Sequence, residues 1–217
     1  MDIKKQIAFR AAKEFKDGDF VNLGIGLPTM IPNYLDPSVS ITLHSENGFV
    51  RLGPLEGEPI PNLVNAGGQP CGILPGGAYF DSAMSFLIVR GGHLDITVLG
   101  GLQVDQHGNL ANWMVPGKMV PGMGGAMDLV TGAKSVIVTM EHTAKDGSGK
   151  ILEQCTLPLT AKGKVSKIIT EHAYFEFKDG KLWLKELSPV ITLEQLKAIT
   201  PAQYEIHPEL KPLELIT

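Results

Sequence analysis

Apolar and polar positions near the start of the chain alternate with the period of an α-helix. Every fourth residue there is apolar: Ile3, Ile7, Ala11 and Phe15. This spacing predicts an amphipathic helix with one buried face. Asp2 is a suitable cap for its first turn, and Gly18 is a suitable residue to end it.

The pattern then changes to short apolar runs separated by glycine and proline. DFVNLGIGLP predicts a strand at about 19–23, a turn over Gly24-Ile25-Gly26, and a short helix that Pro28 opens and that continues to about Leu35. VSITLHS predicts a second strand, which ends just before Glu46. A strand, a helix and a strand form a βαβ unit, whose crossover makes the two strands parallel.

Apolar strands and short helices continue to alternate along the rest of the chain. The predicted elements are a buried amphipathic helix over Ser82–Arg90 ended by Gly91-Gly92, strands in HLDITVLGG, SVIVTMEH and IIT, a short helix after the glycine-rich PGKMVPGMGG, hairpins in LQVDQHGNLANW and AYFEFKDGKLWLKEL that turn at His107-Gly108 and Asp179-Gly180, a flexible surface loop over Lys145–Lys150, and a last helix capped by Thr192 and Gln195. We therefore expect one α/β domain over residues 1–217, with a mainly parallel open sheet, flanking helices and additional β-hairpins.

Composition narrows the classes of partner. The 217 residues are 43% hydrophobic and 19% charged, which is typical of a globular protein. The net charge is −4 and the basic residues form no stripe, so we expect no nucleic-acid partner. No run approaches the ~18 uncharged apolar residues that a membrane span needs, and no signal-like segment opens the chain, so we expect a cytoplasmic protein without membrane contact.

Cysteine and histidine patterns give no sign of a metal site. Cys71 and Cys155 are far apart and outside any C-x-x-C pattern, which favours reduced thiols, each a small core residue. The six histidines form no H-x3-H or Cys/His cluster, so we expect structural or surface histidines and no bound metal.

One carboxylate and three glycine loops converge in the predicted topology. Ligands bind at the carboxyl ends of parallel strands. Glu46 follows such a strand and precedes Asn47-Gly48, a strong signal for a sharp chain reversal. Three other runs end in glycines, at Gly24-x-Gly26, Gly100-Gly101 and Gly122–Gly125, where a ligand can approach main-chain N–H groups. Each loop alone is also explained as a tight connection between elements.

Two alternatives follow from the same pattern. Gly24-x-Gly26 with Glu46 about 20 residues further on resembles part of a dinucleotide-binding fingerprint, but Thr29 replaces the third glycine and Pro28 crowds the turn. Glu141 also follows a predicted strand and is a second candidate for the catalytic acid. The chain has neither the G-x-S-x-G motif of α/β-hydrolases nor a Walker motif.

Motifs along nearly the whole chain resemble the beta subunit of the family I coenzyme A (CoA) transferases, the 3-oxoacid CoA-transferase group. The resemblance rests on segments that follow in the family's order: VNLGIGLPTM, SENGF, NAGGQP, DSAMSF, RGGH, VLGGLQVD, NLANWMVPGKMVPGMGGAMDLV, MEH and CTLPLT. It implies that Glu46 is a covalent nucleophile in a ping-pong exchange through a glutamyl-CoA thioester, with CoA as a substrate and no permanently bound cofactor or metal.

The resemblance also assigns roles to the surrounding residues. Backbone N–H groups of Gly100, Gly101, Gly124 and Gly125 are candidates for stabilising the tetrahedral oxyanion. Asn22, Gly24 and Gly26 would support the glutamate and the thioester end of CoA. Asn47 and Gly48 would fix the turn that aims the carboxylate.

Partners and substrates are implied in the same way. Relatives contain an alpha half with a GGF segment, which this sequence does not contain, so we expect an alpha subunit, in a heterotetramer of two alpha and two beta chains. The expected reaction moves CoA from succinyl-CoA or acetyl-CoA to a 3-oxoacid such as acetoacetate. Exchange with 3-oxoadipate, acetate/butyrate exchange, and a non-catalytic binding subunit on the same scaffold are the alternatives. Arg51 departs from the family's usual small residue and either faces solvent or helps to bind an acid substrate.

Overall fold

The computed structural model describes residues 2–117 and 122–216. Its elements, in chain order, are α1 (Ile3–Ala12), β1 (Phe20–Leu23), a 3₁₀-helix (Leu27–Tyr34), β2 (Thr42–Ser45), β3 (Phe49–Gly53), β4 (Gly72–Tyr79), α2 (Ser82–Arg90), β5 (Ile96–Gly100), β6 (Gln103–Asp105), β7 (Leu110–Ala111), α3 (Ala126–Gly132), β8 (Ser135–Thr139), β9 (Ile151–Leu152), β10 (Lys167–Ile169), β11 (Ala173–Lys178), β12 (Lys181–Leu187), α4 (Leu193–Ala198) and β13 (Glu205–Pro212). Residues 118–121 of the predicted glycine-rich segment lie outside the described residues.

A ten-stranded sheet forms the centre of the fold, in the order β13-β12-β11-β10-β8-β5-β1-β2-β3-β4. Its five middle strands pair in parallel, and they are β10, β8, β5, β1 and β2. Antiparallel hairpins extend both sides, as β2–β3–β4 and as β10–β11–β12. The prediction of an α/β fold with a mainly parallel sheet and additional hairpins is confirmed.

The two faces of this sheet are covered by different elements. On β5, Ile96 and Val98 contribute to a buried cluster that contains α1, whereas Leu99 belongs to the cluster that contains residues of α2 and α3. This alternation is the two-residue period of a strand buried on both faces. A small sheet in the order β7-β6-β9 packs on the α2/α3 face through Val104, Leu110 and Ile151.

Local capping and turn signals are confirmed. The Asp2 side chain accepts from the N–H groups of Lys4 and Lys5 at the start of α1. Thr192 and Gln195 form a reciprocal capping box at α4. The β11–β12 turn places Asp179 and Gly180 at φ values of 52° and 73°, as a tight hairpin requires.

One helix prediction is confirmed and two other predictions require correction. The predicted short helix that Pro28 opens is present over Leu27–Tyr34, as a 3₁₀-helix with Pro32 inside it, where an α-helical N–H donor is missing. The helix over Ser82–Arg90 has the predicted bounds but is not buried, because only Ser85 and Val89 lie inside. Cys155 is half-buried, whereas Cys71 is a core residue as expected.

Candidate active site

Glu46 is the first residue of the turn between β2 and β3. Ser45 pairs with Phe49 across this hairpin, and the Gly48 N–H donates to the Ser45 carbonyl at 3.0 Å. Gly48 has φ +126°, and a Cβ there would lie 2.4 Å from the Phe80 carbonyl oxygen. Only glycine fits this position, so the sharp reversal predicted after Glu46 is confirmed.

The Asn47 side chain anchors the turn to its surroundings. Its Oδ1 accepts from Ser45 Oγ at 2.6 Å, and its Nδ2 donates to the Val64 carbonyl at 2.7 Å. The turn is therefore tied both to its own strand and to the segment that precedes β4. These bonds limit the directions in which Glu46 can point.

Glu46 is half-buried, and its carboxylate accepts a hydrogen bond from the neighbouring strand. Asn22 lies on β1, beside β2 in parallel register, and its Nδ2 donates to Glu46 Oε2 at 2.9 Å. Ser85 of α2 donates from Oγ to the Glu46 backbone carbonyl at 2.8 Å. Gly125, which caps α3, lies against the side chain, since a Cβ there would be 3.4 Å from Glu46 Cγ. Three separate parts of the chain, β1, α2 and the start of α3, thus surround Glu46.

His44 connects these contacts, and the sequence patterns did not single it out. The Ser85 hydroxyl gives its one hydrogen to Glu46, so it accepts from His44 Nε2, 3.1 Å away. His44 Nδ1 is then an acceptor, and it faces Asn22 Nδ2 at 3.4 Å. Burial lowers the pKa of His44 to about 4, so the ring is neutral at pH 7. The position of His44 two residues before Glu46, at the end of β2, was the available signal for it, and the DSAMSF segment, which contains Ser85, was the available signal for Ser85.

The predicted glycine loops differ in what they do. The Gly24 N–H donates to the Val98 carbonyl at 2.8 Å, so this amide already has a partner in the protein. Gly101 is needed for packing, because a Cβ there would lie 2.6 Å from Val138 Cγ1. At Gly26, Gly100 and Gly124 a Cβ would meet no atom within 4 Å, so these backbones face open space. Their proposed contacts with CoA or an oxyanion stay predictions.

The competing acid, Glu141, lies elsewhere on the same edge. It is exposed after β8, and β5 and β1 separate β8 from β2, which corresponds to about 14 Å between the two strand ends. The adjacent His142 is buried, and its ring nitrogens lie 2.9 Å from Thr170 Oγ1 and Thr200 Oγ1. This part of the edge is therefore filled by bonds within the protein.

Arg51 occupies a bulge in β3 and is exposed. Strand register shifts between Val50 and Leu52, and Arg51 has φ +65°. Its guanidinium lies beside Gly76 of β4, since Nη1 is 3.8 Å from the position of a Cβ there. Of the two predicted roles, this placement supports the solvent-facing one.

A pocket of about 480 Å³ lies between β2 and the 3₁₀-helix. Its walls are mostly apolar and include Leu23, Ile25, Leu43 and Leu74. His44 and Ser45 also line it, so the pocket extends along β2 to the strand end that precedes Glu46. Within residues 2–117 and 122–216, no group of three or more His, Cys, Asp or Glu side chains could hold a metal ion, and no helix is long and apolar enough to cross a membrane.

Comparison with known proteins identifies the family. A family model described as "Coenzyme A transferase" matches residues 4–198. The chain belongs to the coenzyme A transferase family. The acetate CoA-transferase subunit beta of Escherichia coli (strain K12) is 62% identical over 210 residues, which are 97% of each chain. The family resemblance inferred from the sequence motifs is confirmed.

Other members of the CoA-transferase family are longer. The mitochondrial succinyl-CoA:3-ketoacid coenzyme A transferase 2A of Rattus norvegicus is 51% identical, and the match covers 98% of this chain but 42% of the rat protein. The crystal structure of an acyl-CoA transferase from Escherichia coli O157:H7 superposes with a TM-score of 0.80 at 25% identity, over 98% of this chain and 43% of that one. This chain therefore spans less than half of these two proteins.

Proposed function

We propose that this chain is the subunit of a CoA-transferase that carries the nucleophile, Glu46. The observation that carries the proposal is the Glu46 carboxylate on a rigid turn at the carboxyl edge of the parallel strands, with Asn22 Nδ2 2.9 Å from Oε2. Such a carboxylate is positioned, half-exposed, and able to reach a bound thioester. A carboxylate is one of the side chains that act as covalent nucleophiles in group transfer.

The proposed reaction exchanges one thioester for another in balanced steps. A Glu46 oxygen attacks the acyl carbon of acyl-CoA, CoA thiolate leaves, and an acyl-glutamyl anhydride forms. The thiolate then attacks the glutamyl carbonyl carbon, which releases the free acid and leaves a glutamyl-CoA thioester. A second acid repeats these steps in reverse, so the exchange needs neither ATP nor a metal.

Each addition step creates a tetrahedral oxyanion that needs hydrogen-bond donors. The proposed donors are backbone N–H groups at Gly100, Gly124 and Gly125, of which Gly125 lies near the Glu46 side chain, since a Cβ there would be 3.4 Å from Glu46 Cγ. A well-placed donor of this kind contributes roughly 3–4 kcal/mol to transition-state stabilisation. Asn22 Nδ2 is a further donor, because it already lies at Glu46 Oε2.

For the substrates, we propose transfer from acetyl-CoA or succinyl-CoA to a short acid such as acetoacetate. The 62% identity to a protein named acetate CoA-transferase subunit beta favours acetate as one of the exchanged acids over the dicarboxylic alternative, 3-oxoadipate. We propose an alpha subunit as partner, in a cytoplasmic complex of two alpha and two beta chains. The beta-subunit names and the longer relatives support the alpha partner.

Trapping the covalent intermediate tests the nucleophile. The chain, mixed with the alpha subunit that accompanies the Escherichia coli beta subunit, is incubated with acetyl-CoA and analysed by intact mass and peptide mapping. We expect one CoA-sized adduct on the peptide that contains Glu46, and none in Glu46→Ala. Glu141→Ala is the matched control, because Glu141 is exposed at another strand end of the same edge.

Two results would contradict the proposal. Turnover by Glu46→Ala would remove this residue from the chemistry, and an adduct on Glu141 would transfer the role to it. Binding of acyl-CoA and the alpha subunit without adduct or turnover would instead support the non-catalytic subunit. A panel of acids assayed against acetyl-CoA and succinyl-CoA then identifies the acceptor.

A further inference from the structure

A closed series of polar contacts begins and ends at Glu46 and passes through His44. From the Glu46 backbone carbonyl it runs to Ser85 Oγ at 2.8 Å and then to His44 Nε2 at 3.1 Å. His44 Nδ1 faces Asn22 Nδ2 at 3.4 Å, and Nδ2 returns to Glu46 Oε2 at 2.9 Å. The side chains of Ser85, His44 and Asn22 are buried, so water does not compete for these contacts. We call the four residues the Glu46 circuit.

The two ends of the Glu46 circuit determine the direction of every hydrogen bond in it. A backbone carbonyl and a carboxylate only accept, so Ser85 donates at one end and Asn22 donates at the other. The Ser85 oxygen then accepts from His44 Nε2–H, and Nδ1 is left as the acceptor for Asn22. A proton on Nδ1 would place two donors against each other there. The circuit is therefore complete only when His44 is neutral and protonated on Nε2.

Two aromatic contacts hold the His44 ring in place. Phe80 stacks on it with ring centroids 6.0 Å apart and 12° between the planes, and Phe20 meets it edge to face at 5.7 Å. The Phe80 N–H also donates to the Gly48 carbonyl at 2.9 Å. The ring is thus fixed relative to the turn that carries Glu46.

The two ends of the Asn22 amide differ in their partners. Its Nδ2 faces three acceptors, which are Glu46 Oε2, His44 Nδ1 and the His44 backbone carbonyl at 3.2 Å. Its Oδ1 is buried and has no hydrogen-bond partner within residues 2–117 and 122–216. The orientation of the amide is therefore determined at the Nδ2 end, where His44 supplies two of the three acceptors. A reversed amide would place Oδ1 against the Glu46 carboxylate.

We propose that His44 and Ser85 are positioning residues for Glu46, which keep the Asn22 Nδ2 donor directed at the carboxylate and hold the backbone of the turn. This inference rests on the proposed function, which makes Glu46 the nucleophile. In the first step Nδ2 holds one carboxylate oxygen. When thiolate adds to the glutamyl carbonyl, the same preoriented donor faces the oxygen on which negative charge develops.

The test is the rate of adduct formation in variants of His44. The chain is mixed with the alpha subunit that accompanies the Escherichia coli beta subunit, and the Glu46 adduct from acetyl-CoA is followed by rapid quenching and intact mass. His44→Phe retains an aromatic ring without either nitrogen. It is expected to slow the saturated rate roughly tenfold, which corresponds to about 1.4 kcal/mol, at an unchanged half-saturating concentration of acetyl-CoA.

Two further variants supply rescue and control. His44→Gln carries one donor and one acceptor, so it should restore most of the lost rate. Thr139→Val is the matched control and should react like wild type. Thr139 is 1% exposed, its Oγ1 has no hydrogen-bond partner within the described residues, and two strands separate β8 from β2.

A double variant tests whether the two positioning residues act together. Ser85→Ala alone should also slow adduct formation. Because both residues belong to the Glu46 circuit, the variant His44→Phe/Ser85→Ala should be no slower than the slower single variant. Effects that multiply would overturn the shared circuit. If thermal melts and circular dichroism show that His44→Phe is unfolded, Ser85→Ala, which removes one oxygen, tests the same expectation.

Nuclear magnetic resonance of the isolated chain tests the circuit without substrate or partner. Histidines are labelled with ¹⁵N, and the spectrum of His44→Gln identifies the His44 signals. At pH 7 we expect a proton on Nε2 and none on Nδ1; a proton on Nδ1 would overturn the inference.

The outcomes separate positioning from the nucleophile itself. A His44→Phe protein that forms the Glu46 adduct at the wild-type rate overturns the positioning role and leaves Glu46 as the nucleophile. A changed half-saturating concentration at an unchanged saturated rate also overturns it, in favour of a role in acetyl-CoA binding. A wild-type protein that forms no adduct overturns the proposed function and the positioning role together.

Discussion

The contact between Asn22 and Glu46 predicts an unusual pH dependence in the variant Asn22→Asp. Asn22 is fully buried, and its Nδ2 lies 2.9 Å from Glu46 Oε2. The substitution keeps the shape of the side chain and replaces the donor by a carboxylate oxygen. Two carboxylates would then face each other at hydrogen-bond distance, as in an aspartic-protease dyad.

The distance sets the size of the effect. At an effective dielectric constant of about 20, two unit charges 2.9 Å apart repel by about 6 kcal/mol. This corresponds to roughly 4 pH units, so the pair retains one shared proton up to about pH 8. While the pair holds this proton, the two carboxyl groups share a hydrogen bond that replaces the one from Asn22 Nδ2 to Glu46. When the proton is lost, the two negative charges repel and the groups move apart. We expect activity near pH 6 and a new alkaline limb near pH 8.

Stability should follow the same titration. The introduced carboxyl has a folded-state pKa above its unfolded value of about 3.9. Unfolding therefore releases a proton between these pKa values, and the variant loses stability relative to wild type as pH rises from about 4 to about 8. Below pH 4 the two proteins should be similarly stable.

Two measurements check this prediction. One is kcat/KM from pH 5 to 9 for the complex with the alpha subunit, and the other is the urea midpoint of the isolated chain over the same range. Asn22→Leu is the control, which removes the donor without a charge and should lower activity equally at every pH. A profile for Asn22→Asp parallel to that of wild type, together with a stability difference that does not change with pH, would refute the reasoning.

Three further predictions concern stability and are checked by urea denaturation. Gly132→Ala should lower the free energy of unfolding by about 3 kcal/mol, because a Cβ there would lie 2.0 Å from the Val89 carbonyl oxygen. Gly125→Ala should lower it by less than about 1 kcal/mol, because the atom nearest to its Cβ would be 3.4 Å away. Equal losses in the two variants would be inconsistent with this packing. Arg51→Gly should raise the free energy of unfolding by roughly 0.5–1 kcal/mol, because φ +65° is strained for any residue with a Cβ. A lower free energy of unfolding would show that the contacts of the guanidinium outweigh this strain. Burial lowers the pKa of His142 to about 3, so as pH falls below about 6.5 this histidine is protonated in the unfolded chain before it is protonated in the folded one. The free energy of unfolding should therefore decrease by roughly 1.4 kcal/mol per pH unit. An equally steep decrease in His142→Gln would rule out this residue as the cause.

The sequence alone was sufficient for the elements whose signals are local. Asn47-Gly48 predicted the reversal after Glu46, Asp2 and Thr192 predicted helix starts, and Asp179-Gly180 predicted a hairpin; the structure contains all four. Such signals depend on the backbone preferences and hydrogen bonds of residues a few positions apart. The parallel βαβ order that brings Glu46 to the carboxyl edge followed from the alternation of apolar runs.

The environment of Glu46 was decided only by tertiary structure. Asn22, Ser85 and Gly125 are separated from Glu46 by 24, 39 and 79 residues, and no local pattern specifies that they meet there. Pairing of β1 beside β2 brings Asn22 to the carboxylate, and packing of α2 and α3 on the same face brings the other two. Tertiary packing also left Leu87 exposed although its pattern predicted burial. The physical reason is that apolar periodicity indicates which face of an element is apolar, whereas strand order and helix packing determine which other element, if any, buries that face.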